Sequence, residues 1–174
     1  RFDPRGARLS GLNMVEFQDG DAAVQMFFPA EDSGISTRFG GRDGQLMNDV
    51  FFRKSGTEDN IVEFYRDYQR NDQPGRVIRV TKRYTFVPGE YVIKLDVGFE
   101  YSVNEFLPSS LDGYAYTLSV GPQIGPTSSH IAQRQDIRRL VYHTGAKVEK
   151  PGVGPNASFP IKEKINWLAI DGKY

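Results

Sequence analysis

The stretch GRVIRVTKRYTFVPGEYVIKLDVGFEY, residues 75–101, decides the fold. Its second arm alternates: Tyr91, Ile93, Leu95, Val97, Phe99 and Tyr101 fall on one side, and Lys94, Asp96 and Glu100 on the other. Side chains on a strand alternate at period two, so this arm has one buried face and one wet face. The first arm, 77–87, is equally rich in β-branched and aromatic residues, which suit a pleated, half-buried surface. Between the arms stands Val87-Pro88-Gly89-Glu90. Proline presets φ at the first inner position of a turn, and glycine tolerates positive φ at the next. A two-armed ribbon this long predicts a large antiparallel sheet.

Outward from the ribbon, strand signals dominate. Residues 12–18 and 22–28 flank Asp19-Gly20-Asp21, which reads as a hairpin turn. Residues 29–45 are polar and glycine-rich and read as a long loop with a short strand around 36–39. A short strand is expected at 50–53. Another is expected at 61–68, with Val62, Phe64 and Tyr68 opposite Glu63 and Asp67. In 114–121, Tyr114, Tyr116, Leu118 and Val120 alternate with Ala115, Thr117 and Ser119. Residues 138–143 and 146–150 pair across Thr144-Gly145, and 166–170 form a last strand before Asp171-Gly172. Helical signals are confined to 128–136 and a single turn at 160–165. No composition shift divides the chain, so residues 1–174 are expected to form one domain. Strands at turn-punctuated intervals predict an all-β antiparallel sandwich or barrel with little helix.

Composition narrows the function. The chain has 174 residues, 22 Lys plus Arg against 22 Asp plus Glu, and no cysteine. Zero net charge lacks the basic footprint of a nucleic-acid binder. Without thiols there is no structural disulfide, thiolate nucleophile or cysteine-bound zinc. The apolar runs are far shorter than the roughly 20 residues that span a bilayer. The chain begins at Arg1 without an apolar leader and ends at Tyr174 in strand-like sequence, which reads as a piece of a longer protein.

No catalytic constellation emerges. His130 and His143 fit no local metal spacing. Residues 152–157 match GxGxxA formally, but Pro155 and Pro160 deny it the helix that a dinucleotide site requires. Asp19-Gly20-Asp21 and Arg42-Asp43-Gly44 lack the ligand pattern of a calcium loop. Glu16, Glu63, Asp96, Glu100 and Glu105 cannot be paired across a cleft from sequence. Catalytic, metal and cofactor residues are therefore all expected to be none. Among 12 Phe, 9 Tyr and one Trp, most take core-facing positions. Phe39, Phe51 and Phe106 depart from that pattern and are candidates for a partner groove.

Three stretches together resemble the periplasmic domain of the YidC/Oxa1/Alb3 family of membrane-protein insertases. Thr81-Lys82-Arg83-Tyr84-Thr85-Phe86 leading into Pro88-Gly89-Glu90-Tyr91-Val92-Ile93 resembles that family's central ribbon. Val120-Gly121-Pro122-Gln123-Ile124 is similar to a strand-ending segment of the family, and 166–174 to its last strand and turn. The hairpin at 139–150 looks like the one preceding that strand. The resemblance is clearest from about residue 61 to 174.

The resemblance implies a twisted antiparallel β-supersandwich of galactose-mutarotase type. It implies a place on the periplasmic side of the bacterial inner membrane, held by flanking transmembrane helices outside this chain. It also implies a non-catalytic scaffold or chaperone role, with Sec translocon subunits and nascent membrane proteins as partners. Tyr84, Phe86, Tyr91, Gly121, Pro122, Trp167, Asp171 and Tyr174 are the family-matching positions, expected to be structural. The alternative that the same fold suggests is a carbohydrate-binding or mutarotase-like protein, for which only His130 and His143 offer histidine chemistry.

Overall fold

A computed structural model describes residues 1–19, 21–27, 34–41, 43–69, 75–102, 114–121, 139–152, 159–161 and 163–171. These residues are all-β. The strands are β1 (Phe2–Asp3), β2 (Arg8–Leu9), β3 (Asn13–Asp19), β4 (Ala22–Gln25), β5 (Gly34–Phe39), β6 (Phe52–Arg53) and β7 (Ile61–Gln69). They continue with β8 (Val77–Phe86), β9 (Ile93–Tyr101), β10 (Tyr116–Gly121), β11 (Arg139–His143), β12 (Val148–Glu149) and β13 (Trp167–Asp171). Every pairing among them is antiparallel. The chain forms two compact units, Arg1–Ile124 and Gly125–Tyr174.

The ribbon forms as its sequence dictates. β8 and β9 pair from Ile78↔Tyr101 to Phe86↔Ile93. The connection is a type II turn: Glu90 N–H donates to Val87 O at 3.1 Å, and Gly89 takes φ +78° behind Pro88. Tyr91 precedes β9 and is exposed, as is Val92. β7 pairs with the other side of β8, and β6 closes a four-stranded sheet β6-β7-β8-β9.

A second sheet of the same unit runs β1-β2-β5-β10. β5 lies inside it, paired along its whole length with β10, from Tyr116↔Phe39 to Gly121↔Gly34. The sequence reading allowed only a short strand there, and β1 and β2 were not anticipated at all. Two-residue strands carry no periodicity to detect. The glycine at the start of β5 serves a close approach rather than a loop: a Cβ on Gly34 would stand 2.0 Å from Leu9 O. β3 and β4 form the hairpin expected around Asp19, with a register shift between Met14 and Gln18.

The two larger sheets share one core. Leu9, Phe64, Val80 and Tyr84 are buried, with Ile35, Phe39, Leu95 and Phe99 packed against them. Phe2 of β1 lies 5.3 Å from the Phe64 ring and 4.9 Å from Tyr84. Phe39 of β5 meets Tyr68 of β7 edge-on at 5.0 Å. Each fully buried ring contributes roughly 1.5–3 kcal/mol, so aromatic burial is what holds sheet to sheet. This is a β-sandwich.

In the second unit β11 lies between β12 and β13, with Arg139↔Asp171 and His143↔Trp167 at the ends of the longer pairing. The 143–148 connection closes through Thr144 N–H to Lys147 O at 3.2 Å, with Gly145 at φ +93°. The expected turn of helix at 160–165 is absent from the described residues there, and 128–136 lies outside the described residues.

Candidate functional site

The ribbon sheet has two chemically distinct faces, set by the register. On the wet face Glu63 stands beside Arg83, which stands beside Asp96. Glu63 is the hub, accepting from Lys54 Nζ at 2.8 Å and from Arg83 at 2.6 Å. Its side chain is only 8% exposed. The Lys54 hydrogen bond, and after it that of Arg83, hold the Glu63 carboxyl below its ordinary value of 4.5 against the opposing effect of burial. Glu63 is therefore a fixed anion and a poor general acid. A shallow concavity of about 340 Å³ opens here, lined by these groups with Thr81, Gly98 and Glu100. Asp67 and Arg79 form a bidentate pair at 2.7 and 2.8 Å on the same face. The charges of this surface largely neutralise one another.

The inner face carries a group that sequence reasoning missed. Lys82 is 1% exposed. Its Nζ donates to Gly6 O and to Thr37 Oγ1 and lies 5.1 Å from the Phe51 ring centre. Two residues on, Tyr84 donates its hydroxyl to Ala7 O at 2.8 Å. Burial pushes the Lys82 amine down to about 7 and the Tyr84 phenol up to about 12. The signal was present: Lys82 is in phase with Ile78, Val80, Tyr84 and Phe86.

A third feature is apolar. β10 alternates as expected, but Tyr116, Leu118 and Val120 take the exposed side at 38–45%, and Tyr114 just ahead of the strand is more exposed still. Thr117, opposite Arg38 on the other face, is half-buried and donates to Gly40 O at 2.8 Å. Tyr116 packs against Phe99 of β9, the rings tilted by 32° with centres 5.9 Å apart.

The positions singled out from sequence are scattered over the fold. Tyr84 is buried and Phe86 half-buried against the core. Tyr91 is exposed, bonds Glu16 and lies 5.5 Å from Phe17 of β3, tying that hairpin to the ribbon turn. Gly121 ends β10, and Asp171 ends β13 in register with Arg139. Trp167 is about half exposed and stacks on His143 at 5.7 Å and 11°. Pro122 and Tyr174 lie outside the described residues.

The groove candidates find no open groove where they can be seen. Phe51 is 2% exposed and Phe39 packs on the core, both against Tyr68. Their rings are taken up by sheet-to-sheet packing, and Phe106 lies outside the described residues. His143 Nδ1 accepts from Gly145 N–H at 3.1 Å, a turn-closing bond, while His130 lies outside the described residues. Among the described residues no group of three His, Asp or Glu side chains is placed to hold a metal, and no helix is long and apolar enough to cross a membrane.

Among the described residues, fold and surface define the class: an antiparallel β-sandwich with a ribbon face of paired charges and an exposed apolar strand face on β10. The comparison with curated proteins then supplies a particular relative. The chain is similar to the membrane protein insertase YidC of Treponema denticola, 29% identical over 183 aligned residues that cover 99% of this chain. The resemblance seen in the ribbon and the last strands thus extends over nearly the whole sequence. The chain spans about a third, 31%, of that relative's length. No family model matches, and no solved structure matches.

Proposed function

We propose that this chain is the extracytoplasmic domain of a membrane-protein insertase, on the periplasmic side of the inner membrane. It is a non-catalytic scaffold that assists insertion and folding by contacting Sec translocon subunits or emerging substrate segments. The observation that carries this reading is the near-complete alignment of the chain within one third of an insertase. The surface chemistry is compatible with it: Glu63 is locked between two cations, and the apolar side of β10 suits protein contact better than turnover.

The reading is tested by placing a photoreactive residue at Lys94, Tyr114 or Leu118 in the full-length, membrane-embedded protein. The expected result is discrete adducts with Sec subunits or with a nascent membrane protein. Absence of adducts at all three sites, while probes in the membrane-spanning part still cross-link, would contradict a docking role.

A further inference from the structure

The turn between β1 and β2 is held in an unfavourable shape. Gly6 has φ +68°, and Ala7, which has a side chain, has φ +46°. Left-handed backbone is costly for an L-residue other than glycine and persists only where surrounding contacts enforce it. Here the enforcing contacts come from β8: Lys82 and Tyr84 hold the consecutive carbonyls of Gly6 and Ala7. Gly6 N–H donates to Asp49 O at 2.8 Å, and Phe51 N–H to Pro4 O at 2.9 Å.

The Lys82 site offers a buried amine no counter-charge. Its acceptors are two uncharged oxygens, Gly6 O and Thr37 Oγ1, beside the face of the Phe51 ring. The titratable or charged groups on the elements around it are Asp3 of β1, Arg8 of β2, Asp49 ahead of β6, Arg66 and Tyr68 of β7, and Tyr84 of β8. Asp3 is paired with Arg8 at 2.7 Å, and Arg66 donates to Val50 O. β5 and β9 turn Thr37 and Val97 toward Lys82, and Glu63 and Asp96 lie on the opposite face. No carboxylate pairs with Lys82 among the described residues.

We propose that the Pro4–Ala7 turn is a proton-sensitive latch, closed on β8 while the Lys82 amine is neutral and loosened when that amine takes a proton from solvent.

The sign follows from linkage. Closed, the amine titrates near 7; open to water, it titrates near its ordinary 10.5. Between these values the open form carries a proton that the closed form lacks, so closure gains about tenfold per pH unit upward. Below about 7 both forms are protonated and the dependence flattens.

Hydrogen exchange of the intact chain tests this at the Gly6 and Phe51 amides, corrected for the intrinsic rate. The expected result is lower protection than in the β7–β8 ladder, rising about 50-fold from pH 7 to pH 9. Lys82→Met should abolish that rise. Tyr84→Phe keeps the amine and should lower protection at every pH with the slope intact, which serves as the test should Lys82→Met fail to fold. A flat profile in the parent chain would overturn the latch. So would turn amides that exchange only together with the ladder, or a slope lost in Tyr84→Phe.

Discussion

Single side chains carry much of the cohesion between the sheets. Tyr84 is the clearest case: its ring fills the core and its hydroxyl satisfies a carbonyl in a strained turn. Tyr84→Phe leaves that carbonyl without its donor and should cost about 1–2 kcal/mol in urea unfolding. Glu63 contributes from the wet face. Glu63→Gln removes the charge that Lys54 and Arg83 share, but both cations are half exposed and can rehydrate. A loss of about 1–3 kcal/mol at neutral pH is expected, below that of breaking a fully buried pair. Because the folded-state value of Glu63 is lowered, its contribution is complete above about 4.5 and lost as pH falls through the folded value. The variant should therefore show a shallower acid limb than the parent in unfolding followed from pH 6 to pH 3. Lysine 82 shows where residue type misleads. Its position in the alternation assigns it to the core face, whereas its charge suggests solvent, and position prevails because Gly6 and Thr37 supply acceptors.

Elements were legible where a period had room to repeat. The nine- and ten-residue strands β7, β8 and β9, the turn at 87–90 and the hairpins of β3–β4 and β11–β12 follow their sequence patterns. β5 was under-read because Gly34 and the glycines just past the strand, Gly40, Gly41 and Gly44, resemble loop punctuation, although Gly34 is there to let two backbones meet. Gly34→Ala should separate β2 from β5 and cost more than about 2 kcal/mol, since both positive φ and a close backbone oppose a Cβ. Gly89→Ala meets no neighbouring atom and bears only the conformational cost of φ +78°, about 1 kcal/mol. Comparing the two variants by denaturant midpoint separates close approach from turn geometry. β10 was legible as a strand, but which of its sides would be covered was not. Alternation assigns residues to two faces without saying which face meets a neighbour, and here the small side, Ala115, Thr117 and Ser119, is the more enclosed one.

At the scale of the molecule, the sequence carried the all-β class and the resemblance to an insertase, while the division into two compact units had no compositional mark. The candidate site was the least legible part. Phe39 and Phe51 looked like groove residues because nothing in sequence shows that two sheets close over them. As proposed, this chain serves an insertase from outside the cytoplasmic membrane. Its freedom from cysteine allows a direct measurement. Lys94, with a side chain 68% exposed on the ribbon, would be replaced by cysteine in a full-length protein otherwise free of thiols, and treated with a membrane-impermeant maleimide in cells whose outer layer alone is permeabilised. Labelling before the cytoplasmic membrane is broken is the expected result; labelling only after its rupture would place the domain on the cytoplasmic side and overturn the proposal.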